Sequence, residues 1–227
     1  MMSGISSRTV GDIGTNRLTT FGVTLTVAVV LAGSAAELLN YGFFNQRFPG
    51  LDPGSDGGVF GTIGDVALVA AAFSAWVLAA RVRSARSVAV ALAGLLTFLA
   101  TDKVARLHDH IPHWLAFYLP VLVVSFICLM AIARASSGRL QVHPDRGAGR
   151  LAMDRLIGAG LLLLAFSFFL HVFGQRLLLD LGLSDTAGLA YQIKAVAKHG
   201  TEVAGWLLVT IGLLRFGVSR RRSPESV

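Results

Sequence analysis

Six apolar runs divide the chain: Phe21–Leu39, Phe60–Ala80, Val88–Asp109, Trp114–Ala133, Leu156–Gln175 and Ala195–Leu214. Each is close to the ~20 residues that a helix needs to cross a bilayer. A chain of 227 residues cannot hide six such runs in one water-soluble core, and only 15% of its residues are charged, against about 25% in ordinary soluble domains. The mean hydropathy of +0.65 agrees. A soluble enzyme and a disordered chain are therefore excluded. A secreted disulfide scaffold is excluded too, because Cys128 is the sole cysteine and sits inside an apolar run. The expected fold class is all-α, a polytopic membrane helical bundle of six transmembrane helices.

The charges set an orientation. The basic residues are 17 Arg and three Lys; with abundant Ala and Gly, that bias suggests a GC-rich bacterial genome and hence an inner (plasma) membrane. With both termini cytoplasmic, fourteen of the 20 basic residues fall in inside segments. The outside set is Arg47, Lys103, Arg106, Arg176, Lys194 and Lys198. That asymmetry is the orientation signal of membrane proteins and accounts for the basic balance, since no aromatic-interleaved platform for nucleic acid accompanies it. The expected organisation is a cytoplasmic segment 1–18, a transmembrane domain 19–216 and a basic, disordered tail 217–227. Residues Asn40–Gly58 and Ser136–Arg150 read as polar connections, and Leu177–Leu183 as a brief interfacial helix. Ala67, Ala71, Ala75 and Ala79, four residues apart, form a small-residue ladder for close helix packing.

Three spans are too short without their polar residues. The uninterrupted apolar stretches are Val88–Ala100, Leu156–Leu170 and Val203–Leu214, and at 1.5 Å per residue none covers a ~30 Å core. Asp102, His171, His199 and Glu202 are thus drawn into the membrane or its interface. The third helix is expected to run on towards Ile111-Pro112, which places Asp102, Arg106 and Asp109 on one face. Glu37 ends the first span and Asp65 begins the second. Glu37, Asp102 and His171 come late on outward helices, and Asp65, His199 and Glu202 early on inward ones, so all six share a level in the outer half of the bilayer. The fourth span has no charged residue and is expected at the periphery, with Trp114 and Tyr118 in an aromatic belt.

Intramembrane ionisable groups cost ~2.5–3.5 kcal/mol each on insertion scales and by default turn inward and pair. One reading is a divalent metal (zinc, iron or manganese) held by Asp102, Asp109, His171, His199 and Glu202. Glu37, Asp65, Ser167 and Gln175 would stand behind these ligands, and Glu202 or Asp102 would act as general base on a lipid or lipid-linked substrate. A second reading is a small ion- or proton-coupled transporter. The third is structural: ion pairs such as Asp102–Arg106 and Lys198–Glu202, and Glu37 or Asp65 with Lys194 or Lys103, in a non-catalytic membrane subunit. The expected partners are the bilayer and a lipid-like or small-molecule ligand.

The run Thr101-Asp102-Lys103-Val104-Ala105-Arg106-Leu107-His108-Asp109, with the later His199-Gly200-Thr201-Glu202-Val203-Ala204-Gly205-Trp206, resembles two helices of uncharacterised bacterial multi-pass membrane proteins. The chain is more distantly similar to the CREST membrane hydrolases, which are helical with histidines and an acid at one membrane face. It departs from them in having six spans where seven are expected, and His-x-x-Glu in place of His-x-x-x-His in the last helix.

The run Phe21–Leu31 followed by the small residues Ala32–Ala36 also has the form of a cleavable signal, but its polar lead-in of some twenty residues is long for one. The intact mass of membrane-extracted protein is accordingly expected to be that of the whole chain, 24.0 kDa. A mass lacking the segment up to Ala36 would mark cleavage.

Overall fold

The computed structural model describes residues 6–52, 58–82, 86–111, 113–138, 147–183, 185 and 188–219. Among them are six α-helices and no strand: α1 (Ser6–Gly42), α2 (Val59–Arg81), α3 (Arg86–Ala105), α4 (Trp114–Gly138), α5 (Gly147–Asp180) and α6 (Leu189–Ser219). Segments Arg17–Gly42, Val59–Arg81, Arg86–Ala105 and Arg155–Asp180 are long and apolar enough to cross a membrane, and α4 contains the shorter apolar stretch Tyr118–Ile132. Large apolar side chains cover the outside: Phe21 is 68% exposed, Phe73 66% and Leu162 74%. Water would not tolerate so much continuous apolar surface, whereas acyl chains solvate it. The molecule is a membrane protein.

Helix α6 is the central post. It packs on α1, α2 and α5, α2 also packs on α3, and α4 lies more lightly against α3 and α5. Because lipid is as apolar as leucine, helices associate in it through close fit. The expected alanine ladder does this on α2, where Ala67, Ala71, Ala75 and Ala79 are all buried. Helices α5 and α6 meet at Gly160 and Gly205. A Cβ on Gly160 would lie 2.8 Å from the Gly205 carbonyl oxygen, and one on Gly205 would lie 2.9 Å from that of Gly160. Polar clamps hold α1 at Thr19, within the helix, and at its C-terminal end. Buried Arg215 donates to Thr19 Oγ1 at 2.5 Å. Asn40 donates to the carbonyls of Phe48 and Leu51 and accepts from the Phe48 amide, holding the 3-10 turn Pro49–Leu51 against the helix.

Several boundaries differ from expectation. Helix α1 starts at Ser6, well before the expected limit of the N-terminal segment at residue 18. Helix α3 stops at Ala105, followed by Arg106 at φ +52° and a 3-10 turn over Leu107–His110, so Asp109 does not continue the face of Asp102. Leu177–Leu183 is no separate helix. Helix α5 runs through to Asp180 and is closed by Gly182 at φ +69°, with the Leu183 amide donating to the Leu178 carbonyl, the usual glycine-terminated helix end. Tyr118 belongs to no belt: it is buried and stacked on Phe98. Residues 139–146 and 220–227, parts of the expected linker and tail, and the Trp114 side chain lie outside the described residues.

Gly160→Val is expected to destabilise the fold by about 1–3 kcal/mol, since the backbone opposite cannot yield as a side chain would. Gly94, in the middle of α3 with nothing within 4 Å of an added Cβ, should instead accept alanine with a gain of about 0.5–1 kcal/mol. Thermal unfolding in detergent micelles measures both.

Candidate functional site

The polar residues converge on a lysine. Lys103, on the last turn of α3, reaches across to α2 and α6. Its Nζ lies 3.3 Å from Asp65 Oδ1 and donates a short hydrogen bond to Glu202 Oε1. One ammonium thus ties three helices together. The path runs over Gly64, where an added Cβ would be 3.8 Å from Nζ. Lys198 and His199, on the preceding turn of α6, lie within electrostatic reach of Glu202, and Arg106 within reach of Asp65. Ser167 of α5 donates to the Lys198 carbonyl at 2.9 Å, seating that turn of α6 against α5.

This cluster is one end of a cavity of about 870 Å³ with walls from α2, α3, α4, α5 and α6. At the polar end are Asp65, Asp102, Lys103, Arg106, Lys198 and Glu202, with His171 and His199 beside them. The other end is apolar, with Leu122, Phe126 and Leu129 of α4 facing Leu161, Leu164 and Trp206. Asp102 is buried, with Tyr118, also buried, within electrostatic reach of its carboxylate. Helix α4 is peripheral in its packing, as its lack of charge suggested, resting lightly on α3 and α5. Yet it closes one side of the cavity and brings Tyr118 near Asp102.

Of the residues expected in a site, Asp65, Asp102, Ser167, His171, His199 and Glu202 all line this cavity. His171 is exposed, and Ser167 and His199 are buried. Gln175, half-buried, and Glu37 are not among the lining residues. Glu37 is buried on α1 with Asp52 as its charged neighbour. Its Oε2 has no hydrogen-bond partner among the described residues. The Asp109 side chain lies outside the described residues. Among the described residues no group of three or more His, Cys, Asp or Glu side chains is arranged to hold a metal ion. The position between the Asp65 and Glu202 carboxylates, where a cation would sit, is filled by the Lys103 ammonium.

Sequence reasoning underrated Lys103, Arg106 and Tyr118. The sequence places Lys103 and Arg106 among the outside charges, with Arg106 on the Asp102 face of the third helix and Lys103 as one candidate partner of Asp65. The available signal was the short third span: a helix that must draw in Asp102 must also draw in its neighbour at 103. Nothing local marks Tyr118, whose role arises from the docking of α4 on α3. No family model, curated protein or solved structure matches the chain.

Removing Lys103 leaves two carboxylates facing each other in a partly enclosed site. Fully buried pairs lose about 3–5 kcal/mol when one partner is removed. With side chains still 19–29% exposed, Lys103→Met is expected to cost less, about 2 kcal/mol by the same principle. The triple variant Lys103→Met, Asp65→Asn, Glu202→Gln should recover at least half of that loss. Chemical unfolding in mixed micelles measures the difference.

Proposed function

We propose that the chain is a six-span bacterial inner-membrane protein, with both termini cytoplasmic, that holds a lipid or lipid-linked ligand in its outer-leaflet half. The observation that carries this reading is one cavity that joins an ion-paired polar end to an apolar limb. Its volume of about 870 Å³ lies within the range of small-molecule sites. On α4 its lining runs from Tyr118 to Leu129, about 16 Å at the helical rise, which is close to one leaflet of a ~30 Å hydrocarbon core. An amphiphile with its head among the charged residues and its tail between α4 and α5 fits both the length and the polarity. The acid-facing end gives the site chemical capacity as well. Glu202 and Asp102, each with a protonated neighbour, are the candidate groups for proton transfer to and from a bound head.

Transport has less support. Beyond Trp206, α6 buries Val209, Leu213 and Phe216. Its one buried charge there, Arg215, is held by Thr19 and does not line the cavity, whose apolar end carries no ionisable group. A charged cargo would meet hydrocarbon-like packing instead of a relay.

Native mass spectrometry of the full chain extracted in mild detergent is expected to show a bound species of lipid mass at near one per protein. Ala165→Trp, which fills the apolar limb from α5, should abolish that adduct while leaving helical content unchanged. An adduct unaffected by Ala165→Trp, or none in either protein, would overturn the reading.

A further inference from the structure

We infer that the cavity selects amphiphiles whose head carries an anionic group, phosphate or carboxylate, and that the Arg106 guanidinium is the residue that binds it. This inference rests on the lipid-ligand reading above. Three observations lead to it.

The first is that the cation position in the cavity is already filled. Asp65 and Glu202 share the Lys103 ammonium, and Asp102 is buried. A cationic head would have to displace a tethered ammonium from two carboxylates at once. An anionic head has no such competitor.

The second is that Arg106 is exposed and lines the same cavity, and no carboxylate among the described residues forms a salt bridge with it. Its electrostatic influence reaches Asp65, but that carboxylate is the one already held by Lys103. Guanidinium presents a planar fork of donors that matches phosphate and carboxylate oxygens two at a time, and it stays charged at any physiological pH.

The third is the backbone. Arg106 follows the last residue of α3 at φ +52°, the left-handed position at which helices most often place glycine. Glycine there would end the helix without steric penalty; arginine ends it at a cost and contributes a charged side chain to the cavity. The helix end itself therefore does not explain the arginine.

Tryptophan fluorescence tests the assignment in the full chain. In a Trp76→Phe, Trp114→Phe background, Trp206, which lines the apolar limb, is the remaining tryptophan. The probes are phosphatidic acid and diacylglycerol carrying the same brominated acyl chains, each titrated into detergent-solubilised protein. Phosphatidic acid is expected to quench Trp206 saturably and at least tenfold more tightly than diacylglycerol. Arg106→Gln should remove that preference. Arg106→Gly, which relaxes the backbone and so guards against misfolding, should do the same, and neither should weaken diacylglycerol binding. Equal saturable quenching by both lipids in the parent protein would overturn the anionic-head inference while leaving the lipid cavity standing. Absence of saturable quenching by either would overturn the cavity reading itself. Inorganic phosphate relieving the quenching at concentrations comparable to phosphatidic acid would identify a free anion, and not an amphiphile, as the ligand.

Discussion

One ammonium between two carboxylates organises this membrane protein. In hydrocarbon a lone charge is prohibitively expensive, and a lone carboxylate equally so. Lys103, Asp65 and Glu202 offset one another's charge where they meet. Their meeting fixes the relative placement of α2, α3 and α6. The apolar contacts of α2 and α6 are slippery by comparison, since one alanine or valine surface slides on another with little change in energy. The ion cluster supplies a register that such packing lacks, as buried polar groups do in other helical assemblies. The cavity then follows as the space left over: α2, α3 and α6 are locked, α5 is locked to α6 by Gly160 and Gly205, and α4 bridges what remains.

The order of interactions also explains how a helix with several ionisable groups can be the central one. Helix α6 carries Lys194, Lys198, His199 and Glu202 in its first half, groups that lipid would not solvate. Surrounded by α1, α2 and α5, it can hold those groups where other protein atoms solvate them. The apolar residues that face outward on α1 and α5, such as Phe21 and Leu162, perform the opposite task.

Much of this was legible in the sequence. The apolar runs located the helices, and the lengths and directions of the spans singled out six acids and histidines for one level. Five of those six ionisable residues line one cavity. The exception, Glu37, is buried on α1 near the turn that Asn40 holds. The pattern offered Lys103 as one partner for Asp65, and that pair forms; the partner of Glu202 it did not give. The spacing of Lys198 and Glu202 suggests a bond within one helix, yet Glu202 bonds to Lys103, 99 positions away. Long-range partners depend on how helices dock, and hydropathy carries no information about docking. The end of α3 was missed for a related reason. Residues 101–110 contain no glycine or proline, so nothing local announces a left-handed residue at Arg106.

The unequal seating of the helices has a directional consequence. On the α1 side the Asn40 side chain staples three backbone groups of the following turn, leaving that rim stiff. On the opposite side α4 is the least firmly held wall, interrupted by Pro120, which cannot donate a backbone hydrogen bond. On the proposed lipid-ligand reading, the side of the cavity that yields most readily to a guest is therefore the seam between α4 and its neighbours.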